Sequence, residues 1–303
     1  MQLGQHPEPS HVVLHFSDPH LLAGDALLHD VVDTSAHLAA ALAQIEASSI
    51  RPDAIVFTGD LTDLGEPDAY RRLDALVAPV AERLGAQLIW CMGNHDERAP
   101  YALGLFGPDA DGVGPQDRVY DVGGLRIIAL DSTVPGYHHG QIDEGQLDWL
   151  RGELATPAEH GTIVALHHPP IPSPLTPEMA VYELDDQDTF AEVIRGTDVR
   201  GILGGHLHYS SHSTFAGVPV SVASATCYTL ALGEPATSYG GRDAFQAVGS
   251  VHVYGDRLVH TTIPIGASPL ISGHPTERLR DEFTLDLATL RERYSKKPPR
   301  PAE

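Results

Sequence analysis

The sequence predicts an α/β protein in which two packed mixed β-sheets carry helices on their outer faces. Three observations lead there. Over the first two thirds of the 303 residues, short β-branched runs alternate with longer segments of helical period. Over the last third the helical period fades, and short alternating runs separated by Gly-bearing turns replace it. Hydrophobic residues make up 42% of the chain and Asp, Glu, Lys and Arg 20%, an ordinary globular balance that can furnish a large core.

VVLHF (12–16) opens as a strand. Residues 30–48 read as an amphipathic helix, because Val31, Leu38, Leu42 and Ile45 recur at helical spacing and Pro52 lies just beyond. AIVF (54–57) is the next strand. In GEPDAYRRLDALVAPVAERLG, Pro67 marks a helix start and Gly85 its end, after which AQLIWCM (86–92) returns as a strand and completes a βαβαβ unit. RVYDV (118–122) and LRIIALD (125–131) are strands joined by a Gly-Gly hairpin turn. Helices near 143–154 and 185–195 precede the strands TIVALH (162–167) and GILGG (201–205). STFAGVPVSVAS, GSVHVYG and RLVHTTIPI read as antiparallel strands. One domain is expected over 1–272, and a helix over ERLRDEFTLDLATLRERY with a flexible Pro/Lys tail over 273–303.

Charge narrows the partners. With 41 acidic against 19 basic residues the net charge is −22, so the chain lacks the Lys/Arg surplus that binds a nucleic-acid polymer or an anionic membrane. Three basic residues in the tail, Lys296, Lys297 and Arg300, read as solvated. The N-terminus has no signal-peptide pattern and no run of 18 apolar residues occurs, so a cytoplasmic protein without integral membrane association is expected. Cys91 and Cys227, both in apolar or small-residue segments, read as buried thiols.

Five polar clusters follow strand candidates: Ser17-Asp18-Pro19-His20, Gly59-Asp60-Leu61-Thr62-Asp63, Gly93-Asn94-His95-Asp96, His167-His168 and Gly204-Gly205-His206-Leu207-His208. Ligand sites of α/β sheets form at such strand ends. Asp18 with His20, and His206 with His208, are spaced two apart; on an extended segment each pair points one way and can bite a metal. Asp18, His20, Asp60, Asn94, His167, His206 and His208 are too many donors for one open catalytic ion and suit two ions sharing a carboxylate. Their mixed oxygen and nitrogen chemistry fits manganese, iron, zinc or nickel. A pair of such ions clamps a phosphoryl group and activates water, which makes phosphate ester hydrolysis the expected chemistry. Taken singly, His167 or His206 would read as a packed histidine and Asp60 as a turn residue; the ordered set favours ligands.

That ordered set, D-x-H, G-D-x-x-D, G-N-H-D, H-H and G-H-x-H, resembles the calcineurin-like metallophosphoesterase superfamily between Asp18 and His208. Within it, D-P-H-L, G-D-L-T-D-L-G-E, G-N-H-D-E-R, H-H-P-P and G-H-L-H-Y, with LRIIALDSTVPGYHHGQ and VPVSVASATCYT, resemble the bacterial class III cyclic nucleotide phosphodiesterases. The resemblance implies a four-layer α/β-sandwich, a metallophosphoesterase catalytic domain over 1–272, a homodimer and a dinuclear centre. Iron and manganese are the expected metals, with zinc, cobalt or nickel as alternatives. It further implies that Asp18, His20, Asp60 and His208 hold one ion and Asp60, Asn94, His167 and His206 the other. His95 would protonate the leaving alkoxide or contact the phosphate, and Asp63 would orient His95, unless Asp63 only caps a helix.

Asn94, His95, His138 and His206 are the expected substrate contacts, His138 being preferred over His139 by the same resemblance. His168 reads as a support for the site or as structural, His15 as packing, and Tyr209 either as pocket border or as packing. The expected reaction is hydrolysis of 3′,5′-cyclic nucleotides (cAMP, cGMP) to nucleoside monophosphates by metal-activated water. Glycerophosphodiesters and 2′,3′-cyclic nucleotides are the alternatives, and a non-catalytic metal-binding scaffold is the reading from another class. Protein Ser/Thr phosphatases of this superfamily continue G-D-x-x-D into an Arg that grips a phosphate dianion; Leu64 stands there instead, which disfavours a phosphoprotein monoester and is compatible with a singly charged diester.

Overall fold

A computed structural model describes residues 6–174, 177–232, 240–266, 271 and 285–297. The chain forms two compact units, Pro9–Gly266 and a second made of Met1–Glu8 with Ala267–Glu303.

Within the first unit, β1 (His11–Phe16), β2 (Ala54–Thr58) and β3 (Gln87–Cys91) run parallel, linked by α1 (Thr34–Ala47) and α2 (Pro67–Leu84), with α3 (Arg98–Phe106) following β3. A second sheet is built from β4 (Arg118–Val122), β5 (Leu125–Ala129), β6 (Thr162–Ala165), β7 (Val199–Gly204), β8 (Ser211–Phe215) and β9 (Val218–Val222) in the order β4-β5-β6-β7-β9-β8. Its helices are α4 (Glu144–Leu154) and α5 (Gln187–Ile194). After a small ribbon of β10 (Thr229–Leu230) and β11 (Gly241–Arg242), β12 (Ala247–Val253) and β13 (Leu258–Pro264) return to the first sheet, giving β13-β12-β1-β2-β3. The chain thus closes its first sheet with its last strands: β12 lies antiparallel to β1, with Val13 opposite Val251.

Side-chain alternation explains the layering. Leu14, Phe16, Ile55, Phe57 and Trp90 face outward and bury against Leu38, Leu42 and Ile45 of α1 and Tyr70, Leu73 and Val77 of α2. Residues of opposite parity, Val13, Val56, Ile89 and Cys91, meet Ile127, Ala129, Ile163, Ala165 and Leu203 of the second sheet. Ile128, Val164 and Ile202 face the other way, onto Leu147 and Leu150 of α4 and Phe190 and Ile194 of α5. The order is helix, sheet, sheet, helix: the four-layer sandwich that the resemblance implies.

Several local expectations need correction. The first helix starts at Thr34 rather than near 30, because the Asp33 side chain accepts from the Ala36 amide and caps it there. Helix α3 and the β10–β11 ribbon were not anticipated. β9 pairs antiparallel with β8 but parallel with β7, so the last third is not purely antiparallel. In the second unit, Leu287–Leu290 forms a helical turn capped by Asp286, and Arg291–Ser295 a π-helical turn. The rest of the helix expected over 277–294 lies outside the described residues, as do Arg300 and the end of the tail. Both cysteines are free and buried. Among the described residues no helix is long and apolar enough to cross a membrane.

Candidate metal centre

The five motifs sit at the carboxyl ends of β1, β2, β3, β6 and β7, and the two sheets bring these ends to one cavity of about 310 Å³. Close packing of the loops is built into the sequence. A Cβ on Gly93 would collide with the backbone and carboxylate of Asp60, and one on Gly59 would lie 2.6 Å from Nδ1 of His167. Asp18, His20, Asp60, His206 and His208 all have φ between 44° and 72°. This overturns the expectation that the Asp18/His20 and His206/His208 pairs lie on extended segments. Their side chains converge because each residue turns in the left-handed region, fixed by backbone bonds such as Asp18 N to Gly59 O (3.1 Å) and His20 N to Asp60 O (3.0 Å).

Donor atoms of Asp18, His20, Asp60 and His208 lie within 4.8 Å of one another, and all four residues are buried. Beside them, Nε2 of His167 is 3.3 Å from Asp60 Oδ2, 3.1 Å from Asn94 Oδ1 and 3.2 Å from His206 Nδ1. Asp60 Oδ2 belongs to both groups, being also 3.4 Å from His20 Nε2, while its Oδ1 accepts the His95 amide at 2.9 Å. The remaining ring nitrogens are anchored: His167 Nδ1 donates to Thr58 O (2.7 Å), and His208 Nδ1 to Tyr228 O (3.1 Å). Such anchoring fixes which nitrogen faces an ion. The donor set fits divalent cations, and one atom makes the point: His20 Nε2 is buried without a hydrogen-bond partner, facing carboxylates.

Electrostatics carry the same message. Burial works against a charge on His20, yet the Asp60 and Asp63 carboxylates beside it hold the imidazole up at about 10. Burial likewise opposes His167, but the Asp60 charge raises it to about 9. Asp60 is held well below the usual carboxylate range, its own burial being outweighed by His167 and His20. Burial, only partly offset by Asp18, pushes His208 down to about 4, and burial with the neighbouring histidines lowers His206 as well. The carboxylates therefore draw positive charge to this point, the demand that bound cations meet.

The other expected residues fall as follows. His95 lines the cavity, its Nδ1 donating to the Asp63 carbonyl at 2.9 Å. The Asp63 carboxylate is 3.0 Å from His20 Nδ1 and 3.5 Å from His95 Nδ1, so it touches a ligand candidate more closely than the residue it was expected to orient. His138 lines the cavity and accepts from the Asn94 amide at 2.8 Å, whereas His139 faces Asp185 at 3.7 Å. His168, pushed down to about 3 by burial and then by His167, is tied to Ser132 Oγ (2.8 Å) and His138 O (3.2 Å). His15 is buried against Thr58 Oγ1 at 2.9 Å. Tyr209 lies on a neighbouring apolar pocket rather than on this cavity.

Sequence reasoning missed Asp96, although it stands inside G-N-H-D. This buried carboxylate accepts from the amides of Leu61 (3.0 Å), Thr62 (3.1 Å) and Gly93 (2.9 Å) and from the hydroxyls of Thr62 and Tyr70. It ties the Asp60 loop to the Asn94 loop. Also missed were Tyr182 and Tyr228, whose backbone carbonyls orient His206 (3.1 Å) and His208, and His29 on the cavity rim.

Residues 11–210 match the family model described as calcineurin-like phosphoesterase. The chain belongs to that family. This phosphoesterase is 55% identical over 272 residues to a cAMP/cGMP dual specificity phosphodiesterase of Mycobacterium tuberculosis, covering 89% of this chain and 85% of the relative. It is 51% identical over 288 residues to a Rhodococcus erythropolis protein named a probable cyclic nucleotide phosphodiesterase (95% and 94% covered). It is 26% identical over 229 residues to the glycerophosphodiester phosphodiesterase GpdQ of Enterobacter lignolyticus (72% and 78%). The family centre is dinuclear, and the group of Asp18, His20, Asp60 and His208, with His167 and Asn94 reached through Asp60 Oδ2, fits it.

Proposed function

We propose that this phosphoesterase hydrolyses 3′,5′-cyclic nucleotides, cAMP and cGMP, to nucleoside monophosphates. The observation that carries the reading is the pair of donor groups sharing Asp60 Oδ2 with His95 beside them, in a chain more than half identical to a cyclic nucleotide phosphodiesterase over most of its length. Asp18, His20, Asp60 and His208 would hold one cation and Asp60, Asn94, His167 and His206 the second. When bound, the cations supply Lewis acidity, neutralising phosphate charge and lowering the pKa of water.

The chain's own residues do the rest. Water adds at phosphorus, one ester P–O bond breaks, and the leaving alkoxide takes a proton. His95 would donate it as the imidazolium: Nδ1–H stays on the Asp63 carbonyl, Nε2–H passes to the alkoxide, and the proton lost by the attacking water returns the ring to its charged form. Asp63, between His20 and His95, keeps both rings in register. Asn94, His138 and His206 border the phosphate position. Among the described residues no Arg or Lys lines the cavity, which supports a monoanionic diester over a dianionic monoester.

Iron and manganese are the metals we assign, to be checked by elemental analysis of the purified protein. The same reading makes the chain a cytoplasmic homodimer, to be checked by fractionation and by light scattering. The deciding experiment compares initial rates on 3′,5′-cAMP, a generic aryl diester and the matching monoester, using metal-stripped enzyme reloaded with manganese. Fast cAMP turnover is expected. Cleavage of the aryl diester without cAMP would keep the metal site and remove the substrate; no cleavage after confirmed loading would favour a metal-binding scaffold.

A further inference from the structure

Beside the metal donors the cavity is lined by a different chemistry. The 3₁₀ turn Pro177–Tyr182 lays Met179 and Tyr182 along one wall, and Tyr228 and Leu230 also face the cavity. Tyr182 is 37% exposed, so part of its ring is open at the cavity while its backbone is pinned to the site. The pin is its carbonyl, which accepts from His206 Nε2 at 3.1 Å and so fixes the ring's position relative to the metal donors. The ring meets His138 edge-on at 6.2 Å between centroids, and His138 is itself held by Asn94.

We infer that Tyr182 is the platform on which the base of the substrate stacks, and thus the residue that separates nucleotides from diesters lacking a ring. This deepens the cyclic nucleotide reading and rests on it. A phosphate seated at Asn94 and His206 lies next to the two residues that position this ring, so the ribose and base project toward it. The wall offers no charged side chain of Arg or Lys to hold the base among the described residues. Tyr182 offers an aromatic face at that wall, and stacking on it tolerates any base because every base has a π-face. A base gripped through its face is held alike whether it is adenine or guanine.

The test uses manganese-loaded full-length protein with Tyr182→Ala, Tyr182→Leu and Tyr182→Phe; each keeps the main-chain carbonyl that holds His206. Two quantities are read: the ratio of kcat/KM for 3′,5′-cAMP to that for glycerophosphoethanolamine, which has no ring, and the Kd of the slowly hydrolysed Rp phosphorothioate of cAMP by calorimetry. Loss of a base–aromatic stack is worth roughly five- to a hundredfold. We expect Ala and Leu to lower the ratio and weaken the analogue about tenfold, through KM and alike for cGMP, and Phe to stay within twofold. An unchanged ratio in Tyr182→Ala, or equal loss on both substrates, overturns the assignment while leaving the phosphodiesterase reading intact. Wild-type enzyme that cleaves neither substrate overturns both.

Discussion

Replacing Asp96 with Ala tests whether the two central metal loops are held together by one buried carboxylate. The substitution leaves three buried amides, those of Leu61, Thr62 and Gly93, without their acceptor. The hydroxyls of Thr62 and Tyr70 lose the acceptor of their O–H groups as well, although their oxygens still accept from the Gly65 and Glu97 amides and the O–H groups can rotate. Asp96 also carries a cost of its own: burial first, then the Asp60 charge, lift it to about 6, so the low end of the range is appropriate. At ~1 kcal/mol per orphaned amide the loss is ~3 kcal/mol. For a unit of this size each kcal/mol moves Tm by roughly 2–4 °C, so calorimetry should show a fall of roughly 6–12 °C. Manganese affinity, measured by titration calorimetry on folded protein below that Tm, should fall roughly tenfold because Asp60 and Asn94 lose their common tether. Asp96→Asn, which retains one acceptor oxygen, should fall between the variant and the wild type. A Tm within 2 °C of wild type with unchanged metal affinity would refute the reasoning.

Asn94→Ala removes an amide that touches both His167 and His138 but little buried apolar surface, so cAMP turnover should drop roughly 100-fold while Tm stays within ~2 °C; a folded variant with full activity would contradict the ligand assignment. Stripping divalent metal with a chelator should abolish hydrolysis and lower Tm, and manganese at ~100 Kd should restore ~2.7 kcal/mol; a Tm indifferent to metal would argue against the site. Between the sheets, His15 is pushed down to about 3 by burial and then by His260, and His260 to about 4 by burial and then by His212. The unfolded chain takes up these protons near pH 6.5 and the folded chain far lower, so stability is full above 6.5 and falls as the pH drops. The loss is up to ~2 kcal/mol per site by pH 5. His260→Leu should flatten the plot of Tm against pH between 6.5 and 5, and an unchanged slope would exclude His260 as a contributor.

The alternation of apolar runs made the layered fold legible, and Pro67, Gly85 and the Gly123-Gly124 turn marked element ends that the structure shares. Helix α3 was hidden because RAPYALGLF is short and holds both Pro100 and Gly104; the proline is tolerated because it falls in the first turn. All seven donor candidates could be named from their order, but not how they converge. Left-handed φ at Asp or His leaves no mark in sequence, as it would at glycine. Backbone acceptors are equally silent: nothing in the letters at 58, 182 and 228 says that their carbonyls aim His167, His206 and His208. Asp96 carried a usable signal, an acidic residue following the ligand motif among apolar neighbours, which pattern reasoning took as part of the motif without a task of its own.

The left-handed backbone at five of the donors has an evolutionary consequence. Each costs on the order of 1 kcal/mol that glycine would not incur, and Asp18 and Asp60 add buried negative charge. Cation binding offsets that cost, so the strain and the stabilisation are two sides of one site: glycine at these positions would ease the backbone and at the same time forfeit what the bound cations contribute. The balance then depends on the surroundings. Heat selection in a metal-depleted medium should favour loss of the donors and selection with manganese should retain them, so the medium decides whether the survivors still turn over substrate.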